Sequence, residues 1–162
     1  MKPLLNNIIV AVSGTDKSIE AAKYAIAMAK MYRCKITAVY VVDIATIKQL
    51  TISRIFVQDE SIEYEKSLET NGNRYLAFVE ELARSKDVKI ERELRKGAVY
   101  TEILAAADEH KADLILLGGI IKNNKANSRD IIGHSQKEII ANAKCSVMIV
   151  KEPDIDQIYK KI

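Results

Sequence analysis

Long hydrophobic runs are missing from this 162-residue chain. No apolar stretch nears the roughly 18 residues needed to cross a bilayer, so no membrane span is expected. The opening Met1-Lys2-Pro3-Leu4-Leu5-Asn6-Asn7 lacks the apolar core and small-residue cleavage site of a secretory signal. The expected location is therefore the cytoplasm. Cysteine is scarce as well. The two present, Cys34 and Cys145, have no Cys or His at metal-ligand spacing. They read as reduced thiols in or beside ordered segments, which argues against a disulfide framework and against a metal site. Histidine is limited to His110 and His134, neither with a nucleophile or carboxylate partner apparent in the sequence. Acid–base catalysis has little to stand on, and no catalytic residue is expected.

Charge of one sign is also lacking. The 25 Lys and Arg against 22 Asp and Glu leave a net charge of +3, dispersed along the chain. Nucleic-acid binders gather Lys and Arg on one face. The nearest candidate is the stretch 122–129, with Lys122, Lys125 and Arg129 among polar residues. A solvated loop explains it at least as well, and nucleic acid is not an expected partner. Neither a GxxxxGK(S/T) loop nor a GxGxxG turn occurs. No internal repeat or low-complexity linker divides the sequence, so residues 1–162 read as one domain.

What is present is ordinary globular usage, 48% apolar and 29% charged, with enough chain for a real core. Asn7-Ile8-Ile9-Val10-Ala11-Val12-Ser13 is a continuous, β-branched run that reads as a strand buried on both faces. The small and capping residues of 13–18 lead into a helix over 18–32, with Ala22, Ala25, Ala29 and Tyr32 on its inner stripe. A second strand covers 35–42. Residues 44–58 leave open a loop, a short helix, or both. A Glu-rich helix over 60–85 presents Leu68, Tyr75, Leu76, Val79 and Leu82 inward. The alternation of 88–94 marks an edge strand. A helix over 99–110, a central strand over 113–118, a polar loop from 119 to about 130, a helix to 143 and a strand over 146–150 complete the order. The tail beyond Pro153 adds one short helix.

Alternating strands and helices predict an α/β fold with a doubly wound parallel sheet. In such sheets ligands lie outside the carboxyl ends of the strands, where the strand order reverses. Two loops there have suitable chemistry. One is 13–18, with Ser13, Gly14 and Thr15; the other is 118–135, with Gly118, Gly119, Lys122, Gly133, His134 and Ser135. Helix N-termini favour phosphate, and glycines allow close backbone approach. Helix capping by Thr15 or Ser18 and a tight turn at Gly14 account for the first loop without any ligand. His110, at a helix C-terminus, is expected to contact the last carbonyls.

Taken in order, the run 8–18, Val39-Tyr40-Val41-Val42-Asp43, the stretch from Gly97 through Ile103 and Ala106 to Gly118, and the strand from Ser146 resemble the universal stress protein family over almost the whole chain. The resemblance implies an adenine nucleotide alpha-hydrolase-like fold. It also implies a five-stranded sheet of order 3-2-1-4-5, helices on both faces, and a homodimer through the last strand, where Val147 and Ile149 form an apolar edge. The family's nucleotide-binding branch carries G-x2-G-x9-G-(S/T) after the fourth strand. Gly118 matches the first glycine and Gly133 the last, and Val41 joins the implied adenine nucleotide site. The departures are sharp. Ile121 falls near the middle glycine, the loop is two residues longer, His134 stands at the final Ser/Thr with Ser135 following, and Ser13 replaces the usual Asp.

These departures argue against ordinary ATP binding. The leading expectation is a non-catalytic stress-response or regulatory protein with a degenerate nucleotide loop. An ATP- or AMP-binding sensor with an altered loop, Lys122 pairing with phosphate, is the alternative. An ATP-pyrophosphatase-like enzyme is the third. The run 13–18 keeps three of the five specified positions of that group's SGGxDS loop, with Thr15 and Lys17 as the departures.

Overall fold

The computed structural model describes the backbone of residues 1–119 and 126–162 and the side chains of 1–119 and 133–162. Its elements run β1 (Asn7–Val12), α1 (Asp16–Tyr32), β2 (Lys35–Asp43), α2 (Ile44–Ile52), α3 (Gln58–Arg84) and β3 (Ile90–Gly97). They continue as α4 (Val99–Glu109), β4 (Leu114–Gly118), α5 (Ala126–Asn142), β5 (Ser146–Val150) and α6 (Ile155–Lys161). All five strands pair in parallel, in the order β3-β2-β1-β4-β5.

The central strands carry apolar side chains to both faces because both are covered. On β1, Ile8, Val10 and Val12 enter the core beneath α1 and α3, while Ile9 enters the core beneath α4 and α5. On β4, Leu114 and Leu116 go one way and Ile115 and Leu117 the other. Successive strand side chains point to opposite faces, so an unbroken apolar run serves two cores. Helix α1 meets the sheet through Ala21, Ala22, Ala25 and Ala29, whose short side chains let its backbone approach closely. Asp113, just before β4, accepts the amides of Asn6 and Asn7 at 2.8 and 2.9 Å and so ties the start of β4 to the start of β1.

Several expected details change. Tyr32 is 59% exposed, being the last residue of α1 where the chain turns off through the left-handed cap at Arg33, and the inner stripe is left to Ile26 and the alanines. Strand β3 starts at Ile90 and runs on to Gly97, since β2 offers pairing partners as far as Asp43. Residues 44–52 are a helix, capped by Asp43, whose carboxylate accepts the Thr46 amide. On α3 the fully buried line is Ser61, Gly72, Leu76, Val79 and Ala83; Leu68, Tyr75 and Leu82 pack partly buried beside it. Helix α5 begins at Ala126, before the expected end of the polar loop near residue 130. Among the described residues no helix is long and apolar enough to cross a membrane.

Candidate functional site

The sheet order reverses between β1 and β4, and the carboxyl ends of the strands open there into a cleft. It consists of a hollow of about 310 Å3 and one of about 150 Å3 that share Ala11, Ser13, Val99 and Ile103. The larger lies over the ends of β1 and β2 and is walled by Tyr40, Val41, Asp43, Thr46, Ile47, Leu50, Tyr64 and Leu68. The smaller lies between β1, β4 and α5 and is walled by Thr15, Ser18, Leu117, Gly118, Gly119, Ser135, Gln136 and Ile139.

Between β1 and α1 the chain turns tightly. Gly14 has φ +75, the left-handed region, and a Cβ there would lie 2.5 Å from the Tyr75 ring. Thr15 caps α1: its hydroxyl accepts the Ser18 amide at 3.1 Å and lies 3.1 Å from the Ser13 hydroxyl. Ser18, only 2% exposed, donates its hydroxyl to the Thr15 carbonyl at 2.9 Å. Such a cap contributes about 1 kcal/mol to helix stability. The Ser13, Thr15 and Ser18 hydroxyls at the smaller hollow are therefore already held in one arrangement.

Gly118 is a close-packing position. A Cβ on it would meet the Lys17 carbonyl carbon at 2.6 Å and the Ser18 nitrogen at 2.8 Å, so the first turn of α1 sits directly on the end of β4. Its carbonyl accepts the Gln136 side-chain amide at 2.8 Å, which fastens α5 to the same strand end. Gln136 is buried, and Ser135 beside it reaches the hollow from the same helix.

Of the residues singled out from the sequence, Ser13, Thr15, Val41, Gly118, Gly119 and Ser135 come together around the cleft. Gly14 shapes the turn without lining it. Gly133 and Ser135 sit well inside α5 and not at its start, so their amides are not the free N–H groups of a helix N-terminus. His134 is exposed and stands edge-on to Tyr100 of α4, ring centres 5.9 Å apart. His110 is drawn to Glu93 of β3, its Nε2 3.3 Å from the carboxylate, where a contact with the helix carbonyls was expected. The neighbouring strand supplies a charged acceptor, and the charged contact wins. Lys122 and Ile121 fall outside the described residues.

Tyr40, Asp43, Thr46, Tyr64 and Gln136 were missed. Asp43 carried a usable signal, being the polar residue at the carboxyl end of an apolar strand. Gln136 follows Ser135 and precedes the buried Ile139 by one helical turn, a polar residue on an inner face. Tyr64 carried none, since it depends on how the unread segment before it folds. Burial, with Tyr75 and Tyr64 close by, pushes the Tyr40 hydroxyl above its usual pKa, so it stays a neutral donor. Among the described residues no group of three or more His, Cys, Asp or Glu gathers as a metal would require.

This is the layout of a doubly wound α/β protein with its crevice at the strand switch. The family model for the universal stress proteins matches residues 5–151, and the chain belongs to that family. A universal stress protein of Methanocaldococcus jannaschii is 33% identical over 150 residues, 93% of this chain and 84% of that protein. Among solved structures, the universal stress protein UspA of Lactobacillus plantarum superposes with a TM-score of 0.73 at 20% identity, covering 93% of this chain and all of the other. One from Archaeoglobus fulgidus in complex with dAMP superposes with a TM-score of 0.62 at 18% identity, over 92% of this chain and 100% of the other.

Proposed function

We propose that this protein is a non-catalytic regulatory member of its family that senses an adenine nucleotide, working as a homodimer. The observation that carries the reading is the two-part cleft at the strand switch. Its larger hollow has an apolar, tyrosine-bearing wall suited to a flat base, and its smaller one has hydroxyls and close backbone suited to a sugar and phosphate. The dAMP complex of the Archaeoglobus fulgidus relative supports the ligand class. Neither His110 nor His134 lines the cleft, and the Asp43 carboxylate that does is taken up by the Thr46 amide and hydroxyl as a helix cap, which gives acid–base catalysis little support. The enzyme reading, an ATP-pyrophosphatase-like activity, loses ground on that account.

The second reading is a regulatory dimer that holds no nucleotide. It is favoured by one observation: Gly133 and Ser135 lie within α5, where their amides belong to the helix ladder. Calorimetric titration with AMP, ADP and ATP separates the two. Saturable AMP binding in the micromolar range, with no phosphate released over hours, is the expected result. No heat with any of the three, together with an unmoved melting temperature, would replace the sensor by the ligand-free dimer.

A further inference from the structure

We infer that the turn between α2 and α3 is a docking surface for a basic amphipathic helix of another protein.

Five of the twelve large hydrophobic side chains that stand exposed among the described residues fall within residues 52–64. Ile52, Ile55 and Val57 are 81, 65 and 61% exposed, and Ile62 and Tyr64 on the helix that follows are nearly half exposed. Single exposed apolar residues are ordinary, but a group of them marks an interaction site.

The exposure does not come from a frayed end. Helix α2 closes through Arg54, whose φ of 58 brings its own amide to the Thr51 carbonyl at 3.1 Å and the Ile55 amide to the Leu50 carbonyl at 3.0 Å. Helix α3 then opens with the Glu60 carboxylate accepting the Val57 amide at 3.2 Å. Across the turn the Thr51 and Ser61 hydroxyls bond each other, and the Phe56 ring meets Tyr64, centres 5.4 Å apart. Phe56 is half-buried within the turn, and its neighbours Ile55 and Val57 are left outside. A surface fixed before contact loses less entropy on binding.

The surrounding charges choose among occupants. Residues 52–64 carry one cation, Arg54, against Asp59, Glu60 and Glu63, in a chain whose net charge is +3. All four are exposed, and none joins a salt bridge among the described residues. Asp59 lies one helical turn before Ile62 and Glu63 directly after it, so carboxylates flank that apolar residue; Lys48 and Lys66 lie a turn further out on either helix. A helix with an apolar stripe and lysine or arginine beside it meets both features. A second copy of this turn would bring carboxylates against carboxylates, and an anionic lipid surface would be repelled by them.

The probe is a fluorescent peptide of about 18 residues with leucine at amphipathic helix spacing and lysine elsewhere, beside a counterpart with glutamate for lysine. Anisotropy is measured on the intact protein and on the double variants Ile55→Ser/Val57→Ser and Asp59→Lys/Glu63→Lys, at about 0.15 M salt. The wild type is expected to bind the lysine peptide about tenfold tighter than the glutamate one. Ile55→Ser/Val57→Ser should weaken that binding about tenfold, with an unmoved melting temperature because neither side chain belongs to the core. Asp59→Lys/Glu63→Lys should invert the preference between the peptides. Absence of lysine-peptide binding, or binding unaffected by Ile55→Ser/Val57→Ser, would overturn the assignment, as would equal affinity for the two peptides. A mass that rises with concentration in the wild type and not in Ile55→Ser/Val57→Ser would give the surface to a second copy instead. Binding to phosphatidylglycerol vesicles, lost in the same variant, would give it to a membrane. None of these outcomes depends on whether the cleft holds a nucleotide.

Discussion

Strand β3 closes one edge of the sheet with Ile-Glu-Arg-Glu-Leu-Arg-Lys-Gly, and β5 closes the other with Ser-Val-Met-Ile-Val. Among the described residues no further strand pairs with the outer row of backbone groups of either. On β3 the charged residues engage neighbouring helices: Arg92 reaches Glu80, Arg95 reaches Glu102 and Glu109, and Lys96 reaches Glu69. On β5, Val147, Met148 and Ile149 are partly buried apolar residues with no charge among them. Charged edges resist pairing with another chain, and apolar ones invite it. The same sheet thus has one edge built to stay single and one suited to a second copy. The homodimer proposed above would use the β5 edge on the strength of that contrast.

The strongest way to break the contrast is to give β5 the character of β3. Ile149→Lys places a charge in the middle of the proposed pairing edge, where burial against a second copy would leave it unpaired. Light scattering is expected to show the mass falling from dimer to monomer, or aggregation of the orphaned edge. An unchanged dimer mass would move the interface elsewhere.

The opposite edge should respond differently. Arg95 sits 16% exposed between Glu102, at 2.8 Å from its Nε, and Glu109, bonded at 2.9 and 3.2 Å. The hydrogen bonds it donates to Glu109 and Glu102 hold the guanidinium firmly protonated, and the same contact with Arg95 holds the Glu109 carboxyl below its usual pKa. Arg95→Leu removes the shared partner of both carboxylates. A loss of roughly 2 kcal/mol is expected, from bonds to charged groups. For a domain of this size that is a drop of about 5 °C in melting temperature. The mass should stay that of the wild type, because the network braces α4 on β3 and not one copy on another. A dimer lost in Arg95→Leu would reassign the charged edge as an interface.

The two edges also mark what could be read in advance. The strand order came with the family resemblance, whereas the fold class was legible because unbroken apolar runs such as Ile8–Val10 and Leu114–Leu117 fit strands covered on both faces. The end of β3 was not, since Arg95, Lys96 and Gly97 have no strand pattern of their own and are recruited by pairing with β2. At the site, Ser13, Thr15 and Gly118 were legible from position alone, at the ends of recognisable strands. Asp43, Tyr64 and Gln136 depend on how α2, α3 and α5 fold back over the sheet, and that is set by tertiary packing. Gly118 stands out in the sequence as a place for close approach to phosphate, and in the fold it admits the backbone of α1.

A position between the two edges separates stability from pairing, with the smallest expected effect. Asp113 ties β4 to β1 by accepting the Asn6 and Asn7 amides, with Lys2 3.7 Å away. The amides of Asn7 and Asn6 hold its carboxyl below the usual carboxylate range, and Lys2 adds to the effect. A depressed folded-state pKa gives stability that is fully present above the ordinary carboxylate value. It fades as pH falls through the lowered one. Asp113→Asn keeps the shape but replaces a charged acceptor by a neutral one, at a cost of about 1 kcal/mol near neutrality. Melting temperature should fall by about 3 °C at pH 7, with the dimer mass unaltered. The gap between variant and wild type should then narrow below about pH 4, as the wild-type carboxylate takes up its proton. A gap that stays constant from pH 7 to pH 3 would mean that the Asp113 charge does not hold the two central strands together.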